Sequence, residues 1–474
     1  YKMIPLVEFP ELVRHYASFF KEVFSDQAWV EFQRYISGLI ISENKTVEGI
    51  NRMFVIESRN QSSLNRLMTK SPFSRKTLNQ KRLSLLDSLS GTRMKPGKGV
   101  FSLDDTLLTH YGKHFEQIAC LFDHVEQRYV WAHNLVTLHY SDDETDYPVL
   151  FQIWKPSDLE KLEHGLLAAG VKIKESKLSL KESTPHKWRQ YLLGLWRRKQ
   201  NIPGVPELYD SKLQIAKQFL QEWVQEHPDL KLPVAFDSWY TQPHFCHFLG
   251  KTLGLNYVGA LSGDNEVVLK TGRERLDSFA ARLKQEHLDA VKQGKPPVFK
   301  PITIQYKGKK EHYYSYCVSH RIHNFGKQRL VINFNQTDLS DNPVFLISNR
   351  LNWQSSGITR IYRHRWPVEV YHQEGKDEGL DPYQLRDFET IERHVALVAT
   401  VYSLLRAAPH DLALKEKLQR ELKFEHEGSA PFWRRATQAH SLWSMALFIS
   451  IGLTQGQDLH DIMAPLLRAV CPPA

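Results

Sequence analysis

Residues 90–99 read Ser-Gly-Thr-Arg-Met-Lys-Pro-Gly-Lys-Gly, and this stretch constrains the fold more than any other. Gly and Pro at such density end regular structure, and the apolar spacing differs on its two sides. Before it, Phe32, Ile36, Leu39 and Ile40, then Val47, Ile50, Met53 and Phe54, then Leu64, Leu67 and Met68 recur at helical intervals. After it the runs are strand-like: 100–103 is short and apolar, 129–139 alternates, and 148–154 is apolar again. A helix over 213–224, a strand at 232–236, another helix and a strand at 256–260 follow. That order predicts an α/β domain with a mixed central sheet. Residues 263–348 interrupt it with one charged helix and strands at 302–306, 312–319, 329–334 and 344–347. From 357 onward the pattern is helical.

At 474 residues the chain is too long for one ordinary core, so two or three domains are expected. Its longest near-apolar stretch, 442–453, is far short of the roughly 20 residues a membrane span needs. No basic-then-apolar leader opens it. Cys120, Cys246, Cys317 and Cys471 are scattered with no C-x-x-C pair, which fits reduced thiols and a cytoplasmic location. Gly250-Lys251-Thr252 lacks the glycine a phosphate loop needs at 245, and His244, Cys246 and His247 have no second ligand pair at zinc-finger spacing.

Charge is informative because of its position. Between 45 and 98 stand twelve Lys and Arg against Glu48, Glu57 and Asp87, a net of +9 that equals the excess of the whole chain. Such a segment points to a polyanion. Thr46 can cap one helix and a second ends before Pro72, an arrangement resembling a helix-turn-helix. Its second helix would present Arg59, Gln61, Ser62, Asn65, Arg66 and Lys70 to double-stranded DNA, with Arg75 and Lys76 beyond.

Three acids stand out by position. Asp105 follows the first strand after the boundary, Asp237 follows the strand at 232–236, and Glu369 lies on a helix after the β-rich interruption. Carboxylates at strand ends and on a flanking helix converge at one sheet edge, and three oxygen ligands suit Mg²⁺. Two such ions would serve phosphodiester cleavage. Asp104 and Asp105 point to opposite faces of a strand, so one of them faces the metals. Tyr362, Arg365, Glu369 and Lys376 fall within an arc of about 60° on a helix, with Trp366 and Gln373 flanking. Pro367 bends that helix or begins it. Glu374, on another face, is expected in solvent.

The spacing Y-x2-R-x3-E-x6-K at Tyr362, Arg365, Glu369 and Lys376 resembles the signature of a group of bacterial insertion-sequence transposases in the RNase H-like DDE superfamily. Leu103-Asp104-Asp105-Thr106 and Phe236-Asp237-Ser238 extend the likeness, with intervals of 132 residues between Asp105, Asp237 and Glu369. The resemblance selects Asp105, the acid before Thr106. It implies an RNase H-like core in two parts, 100–262 and 351–408, with a β-rich insertion at 263–350. A helical DNA-binding domain at 1–90 and a linker at 91–99 precede the core, and a helical region at 409–474 follows.

It further implies a Mg²⁺-dependent transposase, with Mn²⁺ as substitute, that binds terminal inverted repeats as a homodimer in a synaptic complex. Asp105, Asp237 and Glu369 would hold the metals, and cleavage and strand transfer would pass through hairpin ends. Tyr362, Arg365 and Lys376 would bind phosphates, Trp353 would stabilise a flipped base and Trp366 would stack nearby. No membrane partner is implied, and the location would be the bacterial nucleoid. The alternatives are an RNase H-like nuclease or resolvase, and a non-catalytic DNA-binding descendant of a transposase.

Overall fold

The computed structural model describes residues 3–71, 73–423 and 428–470; Pro72 and Cys471 lie outside the described residues. The chain begins with helices, the principal ones Glu11–Ala17, Asp26–Ile41, Val47–Arg52, Gln61–Thr69 and Arg75–Ser88. Side-chain caps set where four of them start. Ser25, Thr46, Asn60 and Ser74 accept from the amides of Ala28, Gly49, Ser62 and Thr77. Phe32, Ile36, Leu39, Ile40, Leu64, Leu67 and Met68 are all buried, so the helical spacing marks the core-facing side.

Among the described residues twelve strands follow: β1 Val100–His110, β2 Ala119–Asp123, β3 Arg128–Ser141, β4 Asp146–Trp154, β5 Val234–Phe236, β6 Tyr257–Leu261, β7 Glu266–Leu269, β8 Gly272–Arg275, β9 Lys300–Tyr306, β10 Lys309–Ile322, β11 Gly326–Phe334 and β12 Val344–Ser348. They form one mixed sheet. β3 pairs along its length with β2 and then β4, and lies antiparallel to β1. β1 runs parallel to β5 and β5 to β6. β12 then joins β6 antiparallel, and β11, β10, β7 and β8 continue outward, with β9 also on β10. The strands expected as an insertion therefore prolong the central sheet.

Helices cover both faces of the β1–β3–β4 region. On one, Trp223 of the Lys212–Glu226 helix meets Phe101 edge to face at 5.1 Å. On the other, His372 of the Trp366–Asp377 helix lies 3.0 Å from the Thr137 hydroxyl, and Tyr371 lies beside His139. Behind this second layer runs the buried Phe388–Ala407 helix.

The amino-terminal helices belong to the same hydrophobic core as the sheet. Tyr35 and His394 are hydrogen-bonded at 2.9 Å, and the buried Arg82 donates to the Pro148 and Val149 carbonyls and to Ser403. The stretch at 90–99 is fastened too. Tyr147 donates to the Thr92 carbonyl at 2.8 Å, and the Lys95 amide donates to the Tyr140 hydroxyl at 2.9 Å. Its Gly and Pro residues turn the chain between packed elements.

Candidate active site

Alternation along β1 sorts its two acids. Phe101, Leu103 and Asp105 share the face covered by the Lys212–Glu226 helix, and Ser102 and Asp104 share the face covered by the Trp366–Asp377 helix. The register agrees: Asp104 stands opposite Thr137, the residue that meets His372. Asp237 follows β5, whose Phe236 pairs with Leu103. Its Oδ1 accepts from the amides of Trp239 and Tyr240, each at 3.1 Å.

Pro367 begins a helix. The Ser355–Arg363 helix ends, Arg365 occupies the junction, and Trp366–Asp377 starts with Pro367 in its first turn, where a missing N–H costs nothing. Arg365 keeps helical φ and ψ of −72° and −34°, whereas His364 before it leaves the helical region with ψ of 0°. The Arg365 guanidinium pairs with Asp104 at 3.3 Å and with Glu369, and lies 5.5 Å from the centre of the Tyr362 ring. Flanking pairs fix this junction: Arg363 bonds Glu311 of β10 at 2.8 and 3.0 Å, and Arg360 bonds Asp143 at 2.8 Å.

The electrostatics follow from crowding acids in a dry place. Burial pushes Asp104 up to about 7 against the pull of Arg365, and the charges of Asp237 and Asp105 add to the rise. Burial also raises Asp237, opposed by the Tyr240 amide and Arg365. Arg365 is raised in spite of its burial, by Tyr362, Glu369 and Asp104.

The donor set of Asp104, Asp237 and Glu369 fits a hard divalent cation, being all anionic oxygen. Part of the charge that burial makes costly is balanced here by one guanidinium. Among the described residues no three His, Cys, Asp or Glu side chains are gathered as closely as a metal ion requires.

The arrangement differs from the sequence expectation at the first acid. Asp105 faces away from Glu369, and its carboxylate accepts from Lys212 at 2.8 and 2.9 Å, Tyr240 at 2.9 Å and Asn134 at 2.7 Å. Asp104 is the acid that Arg365 links to Glu369. Position before a threonine does not tell which face a flanking helix covers, and the helix decides. Glu374, expected in solvent, is half-buried beside Arg406, Asp146 and Tyr402.

The other expected residues separate. Trp353 packs with Val258, Ala260, Val331, Leu346 and Ile358, beside Tyr362. Trp366 is 50% exposed. Lys376 lies 3.9 Å from Asp381 and lines, with Asp105, Asn134, Trp154 and Lys212, a cavity of about 510 Å³.

The basic segment is distributed differently in space than along the chain. Arg59 pairs with Glu31 at 3.0 Å, Arg75 with Glu392 at 2.8 Å, and Lys76 with Glu226 at 3.0 Å and Glu222 at 3.3 Å. Lys81 pairs with Glu22 and Lys95 with Glu144, and Lys45 and Arg82 are buried. Those acids lie outside 45–98 in sequence, so a local excess in the chain becomes a largely paired surface in space. Arg66, Lys70 and Lys98 have no acid partner among the described residues. Asn65 and Arg66 stand exposed on Gln61–Thr69, with Arg66 reaching back to Ser62.

Sequence reasoning missed Lys212, Tyr240 and Asn134. Lys212 carries no local mark beyond its place at a helix start. Tyr240 stands three residues after Asp237, a proximity that offered the one available signal.

No curated protein sequence matches this chain. The cryo-EM structure of the piggyBac transposase synaptic complex with hairpin DNA is similar at 10% sequence identity and a TM-score of 0.40, over 97% of this chain and 81% of that chain. The profile of the DDE superfamily endonucleases matches residues 19–278, which include Asp104, Asp105 and Asp237 and leave Glu369 beyond its end. As that match covers more than half of the 474 residues, the chain belongs to the DDE superfamily of endonucleases.

Proposed function

We propose that the protein is a transposase that binds the terminal inverted repeats of a mobile element as a homodimer and cuts and joins their DNA through Asp104, Asp237 and Glu369. One observation carries the reading: Arg365 spans Asp104 and Glu369, from a strand and a helix far apart in sequence, with Asp237 acting on the same guanidinium. The RNase H-like core finds support in the antiparallel β4–β3–β1 run continued by parallel β5 and β6. The Y-R-E-K spacing supports transposition over simple cutting.

Asp104, Asp237 and Glu369 would hold Mg²⁺, or Mn²⁺ in its place, which when bound supplies Lewis-acid activation of the attacking and leaving oxygens. The Asp237 carboxylate is oriented by two backbone amides, and Glu369 by its helix. Arg365 holds the acids together in the free chain and binds a non-bridging phosphate oxygen when DNA enters, a two-point contact suited to a guanidinium. Tyr362 backs Arg365 and fixes its plane. Lys376 reaches the backbone of the same strand, and half-exposed Trp366 offers a face for a base. Water would first cleave one strand at the element end, leaving a 3′-OH there and a 5′-phosphate on the flanking DNA. That 3′-OH would then attack the opposite strand's phosphodiester, forming the hairpin P–O bond as the bond to the flanking 3′-oxygen breaks and leaves as a flanking 3′-OH. Arg66, Lys70 and Asn65 contact the repeat away from the cut.

The test incubates the protein with DNA carrying the gene's own flanking sequence, in Mg²⁺ or EDTA, beside Glu369→Gln, on a denaturing gel. Metal-dependent cuts at a defined end, lost in the variant, are expected, with hairpin-length products. Cuts without joined or hairpin products would favour a nuclease or resolvase. Binding without cuts would favour a non-catalytic descendant.

A further inference from the structure

Asp105 is the acid that the proposed chemistry leaves unused, yet its side chain is only 15% exposed and accepts from three different residues. One donor is the hydroxyl of Tyr240, a side chain 1% exposed. That hydroxyl donates to Asp105 Oδ1 at 2.9 Å. The main chain of the same residue faces the other way: the amides of Tyr240 and Trp239 both donate to Asp237. Thr241 closes the loop, its hydroxyl donating to the Asp237 carbonyl at 2.7 Å.

Lys212 holds the opposite side. Its ammonium bonds both oxygens of Asp105 and stands 4.0 Å from the centre of the Trp239 ring, which meets Tyr240 edge to face at 4.8 Å. One buried-edge ion pair therefore grips both residues whose amides aim Asp237.

We infer that Asp105, Lys212 and Tyr240 are positioning residues for Asp237, setting its carboxylate through the 237–241 loop without touching the reacting atoms. The inference rests on the reading that Asp237 acts with Asp104 and Glu369. It explains two adjacent acids on β1: one belongs to the site on one face, and its neighbour ties down the loop from the other. A displacement of about 1 Å is enough to cost a reaction of this kind on the order of 100-fold. The Asp105 carboxylate is the hub, because Lys212, Tyr240 and Asn134 all donate to it.

The test uses the full chain and two readouts. The first is Mn²⁺ affinity by calorimetry without DNA. The second is the cleavage rate on flanking DNA, separated into kcat and KM. Tyr240→Phe removes one hydroxyl and keeps the packing, so it stays informative should Asp105→Asn fail to fold. Both are expected to weaken Mn²⁺ binding several-fold and to lower kcat roughly 10- to 100-fold with KM for DNA unchanged. Lys212→Met should act likewise, Lys212→Arg should recover part of the loss, and Asp105→Asn with Lys212→Met should be no worse than either alone. Asp104→Asn should abolish both signals.

Wild-type Mn²⁺ affinity and kcat in Tyr240→Phe and Asp105→Asn, with both lost in Asp104→Asn, would overturn this inference alone. Losses that multiply in the double variant would overturn it as well. A wild-type chain that neither binds Mn²⁺ nor cuts would overturn the proposed function and this inference with it.

Discussion

Arg365 stands 3.3 Å from Asp104, across 261 residues of chain, and so ties the first strand of the sheet to the junction before the Glu369 helix. With Arg365 removed, the largely buried Asp104 and the partly exposed Glu369 would both lose their shared cation. Arg365→Met is therefore expected to lower thermal stability without metal and to recover much of it on adding Mn²⁺, more than the wild type gains. A folded-state ligand at 100 times its Kd stabilises by about 2.7 kcal/mol. Melting curves with and without Mn²⁺ check this; an equal gain in both proteins would count against a shared site.

Acid should loosen the molecule through its buried histidines. Burial holds His394 at about 4 and His372 at about 3, both below the ordinary value near 6.5. A depressed value means the unfolded chain binds the proton first, so their contribution is complete above about 6.5 and is lost as pH falls toward 4. Melting temperature should fall across that window. His394→Gln, which keeps polar atoms near Tyr35 and the Gly379 carbonyl, should flatten the slope.

Two tryptophans should separate cleanly. Trp366 is half-exposed and follows Arg365 in sequence, so Trp366→Ala should change stability by no more than about 0.5 kcal/mol while reducing cleavage. Trp353 packs half-buried against a small apolar cluster, so Trp353→Ala should cost about 1–2 kcal/mol in urea unfolding. A stable Trp353→Ala protein with lost activity would return the base-stabilising role to Trp353.

Salt dependence tests which cations meet DNA. Arg66→Ala should weaken binding and reduce the slope of log K against log salt by about 1. Lys76→Ala, whose ammonium already sits between Glu222 and Glu226, should leave the slope unchanged.

The helical amino terminus, most of the strands after residue 100 and the β-rich stretch before Glu369 were legible in the period of their apolar residues, whereas the short strands β2, β7 and β8 were not. Thr46 was legible as a cap for the same local reason. The choice between Asp104 and Asp105 was not. It depends on which helix covers which face of β1, a fact held by Trp223 and His372 more than a hundred residues away. The pairing within the basic segment was hidden in the same manner, since Glu222, Glu226 and Glu392 reach it only through the fold. Membership of the DDE endonucleases rests on residues 19–278, and the place of Glu369 beside that segment was legible through the signature spacing alone.

The bond between β12 and β6 has a consequence for the history of such a chain. Strands that extend an existing sheet cannot be lost as a cassette, since their removal would bare the backbone of the five-residue β6 as an apolar edge ready to pair with a neighbour. Any shorter descendant must first invent a new border for its sheet.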